Sequence, residues 1–144
     1  MKTTLHLYCL TVALFLTTVG FGQSVSKTLV KSFNPASSQL SQIDLNGPVT
    51  IESWDSKIIR VQMSVALTNA NEQTLKGLIQ AGRYNLKGAI ENDQFVINAP
   101  GLQRAVEING RALEEEISYI IYLPNGMAAE QVGTSAPTAA TDDF

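Results

Sequence analysis

The residues able to do chemistry in this 144-residue chain are mostly carboxylates. Asp44, Glu52 and Asp55 fall within one expected hairpin, and Glu114, Glu115 and Glu116 form a run. Two carboxylates at a set separation suffice for glycoside hydrolysis. No paired motif or phosphate-binding loop accompanies them, and a run of three Glu ahead of a strand is more often a solvated face or an edge guard. Oxygen ligands also suit calcium. Asp44-x-Asn46-Gly47 and Glu91-Asn92-Asp93 lack the ordered spacing of known ion loops, so solvated turns are the simpler account. The single tryptophan, Trp54, stands beside Asp55 at a turn. Its parity is opposite to Val49 and Ile51, which puts it on an outer face, where an indole stacks on a sugar ring or caps the sheet end. Trp54 and Asp55 are the candidate ligand-binding residues. No catalytic residue, metal ligand or cofactor is expected.

The start of the chain sets the context. Lys2 and His6 precede an apolar run from Cys9 to Phe21, and Gly20 and Gly22 stand at the small-residue positions ahead of Gln23. Residues 1–22 therefore read as a secretory signal peptide, with cleavage between Gly22 and Gln23. Threonines break the run, which is too short to span a bilayer comfortably. Cys9 lies too early for a lipidated cysteine. Cleavage removes the one Cys and the one His, so disulfides, Cys/His zinc sites and Cys or His nucleophile–base pairs are excluded. It leaves all 13 Asp and Glu and all but one of the 10 Lys and Arg. A net acidic chain without a basic cluster is a poor nucleic-acid binder. The expected product is exported (periplasmic, cell-surface or extracellular) and does not span the membrane.

The elements that would position these side chains alternate with period two. Residues 28–33 form a first strand. Ile43 and Leu45 share a face, Asn46-Gly47 turns the chain as a hairpin, and Val49 and Ile51 follow. After the turn at residues 54–57, Ile59, Val61, Met63, Val65 and Leu67 alternate strictly with Arg60, Gln62 and Ser64, the mark of a half-buried strand. A period of 3.6 then takes over: Leu75, Leu78, Ile79 and Gly82 predict a short amphipathic helix over residues 70–81, with Asn69 as cap. Strands resume from Tyr84 toward Ile90, turn at residues 91–94, and return through residues 95–97. A short strand reaches Asn109-Gly110. Residues 117–124 carry apolar side chains on both faces, so that strand is central or covered twice. Tyr84, Phe95, Tyr119 and Tyr122 fit sheet packing. Residues 23–127 form the expected β-rich domain, and residues 128–144 a low-complexity tail.

Residues 43–65 (IDLNGPVTIESWDSKIIRVQMSV) and 117–126 (ISYIIYLPNG) carry a family signature. They resemble the bacterial putative-adhesin family over about residues 39–127. The matching features are Asn46-Gly47, Val49-Thr50-Ile51, Trp54-Asp55, the alternating strand that follows, and the Pro-x-Gly ending at Gly126. The resemblance implies an exported coiled-β domain without catalytic residues. Family members run on past the Pro-x-Gly, so a truncated member is expected. The fold class is mostly β, solenoid-like or sandwich-like, with one short helix. Asp44 to Gly47 and Glu107 to Gly110 both read acid–aliphatic–Asn–Gly, as two coils or two hairpins would.

Three functional classes follow. The first is a non-enzymatic envelope or surface binding or structural module whose partner is an envelope glycan or a protein. The second is an envelope carbohydrate-active enzyme using Asp and Glu. The third is a sensor-like periplasmic domain acting through a partner. With only tail composition after it, the strand at residues 117–123 is expected to leave an open edge through which copies self-associate.

Overall fold

The computed structural model describes residues 24–132. The expected signal peptide and its cleavage point lie outside them, as does most of the expected tail. The elements in chain order are β1 (Val25–Phe33), β2 (Leu40–Asp44), β3 (Val49–Trp54), β4 (Ile59–Leu67), α1 (Glu72–Gln80), β5 (Lys87–Glu91), β6 (Gln94–Asn98), β7 (Glu107–Ile108), β8 (Arg111–Ala112), β9 (Glu115–Pro124) and β10 (Ala128–Gln131). A 3-10 turn, Pro100–Gln103, follows β6.

Two four-stranded sheets carry the fold. The first has the order β1-β4-β9-β3, the second β10-β2-β6-β5, and β7-β8 is a separate ribbon. Both large sheets give their inner faces to one apolar cluster. Ile59, Val61, Met63, Val65, Leu67, Tyr119, Ile121 and Leu123 come from the first sheet, and Ile43, Phe95 and Ile97 from the second. Phe33 of the first sheet meets Phe95 of the second with ring centroids 5.8 Å apart. The described residues are thus mostly β with one α-helix, and their layering is sandwich-like.

The alternation in β4 reproduces in space: all five of its odd-numbered apolar residues are buried. β9 carries apolar atoms on both faces because it is an interior strand, antiparallel to β4 on one side and parallel to β3 on the other. The open edge expected at residues 117–123 is replaced by an interior strand, paired with β4 over residues 115–122 and with β3 over residues 119–124, and the first sheet ends in β1 and β3 instead. Pro48, which cannot donate to a ladder, stands just ahead of edge strand β3.

Three further expectations change. Asn46-Gly47 does not close a hairpin, because β2 and β3 belong to different sheets. Gly47 has φ +125°, and a Cβ there would sit 2.6 Å from the Ile117 carbonyl oxygen, so the position serves a sheet-to-sheet crossing. The related Asn109-Gly110 does close a two-residue hairpin, with φ of 53° and 75°. The sequence echo thus marks two different structures rather than two coils. Asn71, not Asn69, caps α1: its Oδ1 accepts from the Thr74 N–H at 2.9 Å. Ala128–Gln131, read from composition as tail, pairs in parallel with β2. All four of its residues are exposed, so backbone bonding holds this strand without an apolar face to announce it.

Candidate functional site

Trp54 closes β3 on the outer face of the first sheet, as its parity predicts. The register aligns Trp54 with Pro124, Glu52 with Tyr122, and Thr50 with Ile120. β4 continues the same rows, Arg60 beside Tyr122 and Gln62 beside Ile120, and β1 adds Ser32 and Val30. Two rows thus cross all four strands: Ser32–Arg60–Tyr122–Glu52 and Val30–Gln62–Ile120–Thr50.

At the Trp54 end this face becomes an aromatic–cation cluster. The Arg60 guanidinium carbon lies 4.6 Å from the Trp54 ring centroid. The Trp54 and Tyr122 centroids are 5.6 Å apart at a 42° tilt. Trp54 Nε1 donates to the Ile58 carbonyl at 2.9 Å, which fixes the indole over the turn that follows β3. The three side chains are half-buried. Such a group is pre-organised: ring–ring and cation–π contacts hold it without a ligand. Glu52 is exposed in the same row, and Val30, at the β1 end of the neighbouring row, is 58% exposed. The face offers aromatic and aliphatic surface edged by one cation and one carboxylate. That combination suits stacking on a sugar ring while its hydroxyls are hydrogen-bonded.

The other sequence candidates scatter. Asp55 is exposed in the turn just beyond Trp54. Asp44 ends β2 in the second sheet while Glu52 is in the first, so Asp44, Glu52 and Asp55 do not share a hairpin. Asn92 and Asp93 are the two positive-φ residues of the β5–β6 turn. Among the described residues, no three His, Cys, Asp or Glu side chains gather in a way that would hold a metal ion.

The run Glu114–Glu115–Glu116 splits three ways. Glu114 accepts from the Thr68 hydroxyl at 2.8 Å, and its N–H donates to Asn69 Oδ1 at 3.0 Å. Asn69 also donates to the Ala112 carbonyl, so the residue expected to cap the helix ties the start of β9 in place. Glu116 is exposed, opposite Ala66. Glu115 turns inward to a cluster the sequence did not reveal. Arg83 Nε and Nη2 hold its two carboxylate oxygens at 2.7 and 2.5 Å, and the Tyr84 hydroxyl donates to Oε1 at 2.6 Å. Burial pushes the Glu115 carboxyl up. The bonds from Arg83 and Tyr84, with the charge of Arg83, more than offset this and hold it below the ordinary carboxylate value. Burial, then the bond to Glu115, raises the Tyr84 phenol. Tyr119 is pushed up to about 12 by burial, with the Glu115 charge adding to it. Its hydroxyl is buried with no hydrogen-bond partner among the described residues. Every other group here is paired, so the cluster reads as a clamp between the segment after α1 and β9.

No helix among the described residues is long and apolar enough to cross a membrane. No protein-family model matches the chain, and no curated protein matches it. Among solved structures, a putative cell adhesion protein from Clostridium sporogenes is similar in backbone, with a TM-score of 0.41 and 16% sequence identity. The match covers 74% of this chain and 46% of that one, so the chain spans just under half the length of that protein.

Proposed function

We propose that this chain is an exported, non-enzymatic binding module of the cell envelope or cell surface, and that it engages an envelope glycan through the outer face of its first sheet. The observation that carries this reading is the Trp54–Arg60–Tyr122 cluster, held rigid at one end of a four-stranded face beside exposed Glu52. The resemblance of residues 43–65 to the putative-adhesin family and the signal peptide read in residues 1–22 support the surface setting. Aromatic contact with exposed polar neighbours is the chemistry of sugar recognition rather than of bond cleavage. Glu115 is committed to Arg83 and Tyr84 and takes no part in this face.

A glycan array probed with residues 23–144 tests the reading. Binding to an envelope saccharide is expected, and Trp54→Ala and Arg60→Ala should each weaken it while the fold, followed by circular dichroism, persists. Absence of binding, or binding indifferent to both changes, would overturn it. Hydrolysis of the same saccharides, lost in Glu52→Gln or Asp55→Asn, would favour the enzyme instead.

A further inference from the structure

We infer a second ligand site, for an oxyanion carried on a sugar-sized body, in the cleft between the C-terminal end of α1 and the 3-10 turn. The cleft has a volume of about 400 Å³. Arg83, Lys87 and Arg104 contribute cations, Leu78, Pro100 and Val106 contribute apolar wall, and no acidic side chain lines it. Three cations around one hollow stand out in a chain with a formal net charge of −3.

The three are not equivalent. Arg83 is committed to Glu115, so that pair is neutral. Its Nη1 donates to the Gly101 carbonyl at 3.2 Å and the Arg104 carbonyl at 2.9 Å, fixing the backbone that carries Arg104. Gly101 packs so closely that a Cβ there would lie 2.3 Å from the Arg83 carbonyl oxygen. The cleft floor is therefore backbone against backbone and does not depend on flexible side chains. Lys87 and Arg104 are exposed, and their side chains make no hydrogen bond or ion pair with the described residues. Two unspent cations beside a rigid apolar wall are what a carboxylate or phosphate with an attached ring needs.

The end of α1 is a source of negative potential. Here the carbonyls of Gly77, Leu78 and Ile79 each accept an N–H, from Ala81, Arg83 and Gly82 respectively, which blunts that repulsion. The site is separate in composition from the Trp54 face: it shares no residue with it and stands or falls independently.

The test is a titration of the ¹⁵N-labelled protein, residues 23–144, followed by amide NMR shifts at low ionic strength. The probes are D-glucuronate, glucose 6-phosphate and, as neutral control, glucose. Saturable shifts centred on Gly82, Arg104 and Val106 are expected with one or both anions and not with glucose. Response to only one anion identifies carboxylate or phosphate as the natural group. Lys87→Gln with Arg104→Gln should weaken binding at least about tenfold, since each charge-assisted contact is lost. The rest of the spectrum should stay unchanged. The single variant Lys87→Gln, at an exposed position, gives a smaller loss and serves if the double variant misfolds. No saturable shift with either anion, an equal response to glucose, or undiminished binding in the variants would overturn the inference.

Discussion

Trp54 shows how a single side chain meets two demands. Its Nε1–H is satisfied by the Ile58 carbonyl, and one ring face is shared with Arg60. Trp54→Ala should therefore cost stability, by about 1–2 kcal/mol measured as a shift in the urea midpoint, as well as the proposed glycan binding. Trp54→Phe keeps an aromatic ring but loses the Nε1–H, and should fall between. Glu115 makes the opposite case, a carboxylate whose work is internal. Its folded value lies below the 4.5 of the free group, so the stability it contributes is present above about 4.5 and is lost as pH falls through the lower folded value. Thermal melts at successively lower pH should show this loss in the native chain and less of it in Glu115→Gln. At neutral pH, Glu115→Ala should cost about 2–3 kcal/mol by leaving Arg83 half-buried without its partner.

At the scale of elements, legibility followed the apolar pattern. β4 was readable because five consecutive alternations leave no other period, and α1 because Leu75, Leu78 and Ile79 share one face. Val61→Asp or Val65→Asp should therefore prevent folding, while Gln62→Asp, on the opposite face, should be mild; cooperative melting distinguishes them. The helix cap differs by two residues from the expected one because Asn69 and Asn71 have the same capping chemistry, and only the tertiary contact of Asn69 with residues 112–114 separates them. Asn46-Gly47 looks like a hairpin in sequence because an Asn-Gly pair between two strands reads the same whether the strands pair or part company. β10 has no sequence signature because an exposed strand held by backbone bonds carries no periodic pattern. At the site, alternation alone placed Trp54 on the outer face. Its partners Arg60 and Tyr122 depended on register between strands distant in the chain, and the Arg83–Glu115–Tyr84 clamp on a long-range approach that no local pattern encodes.

For the whole molecule, exposed edges govern association. β1 is a nine-residue edge strand, yet Lys27 and Lys31 occupy its core-side parity, opposite buried Val65 and Val61. Charges pointing toward a core from an edge oppose pairing with another copy. Lys27→Thr with Lys31→Val should produce association that grows with concentration in light scattering, while the native chain associates less under the same conditions. The interior position of β9 governs how the molecule is made. β3 and β4 are chain neighbours, but β9 lies between them in the sheet and is among the last strands to be synthesised. Until residue 124 has emerged, β3 has no partner in its sheet, and the inner apolar faces have no complete layer to close upon. Non-local pairing of this kind delays folding. During synthesis the late strand therefore acts as a built-in postponement: the first sheet cannot close until β9, near the end of the described residues, has been made.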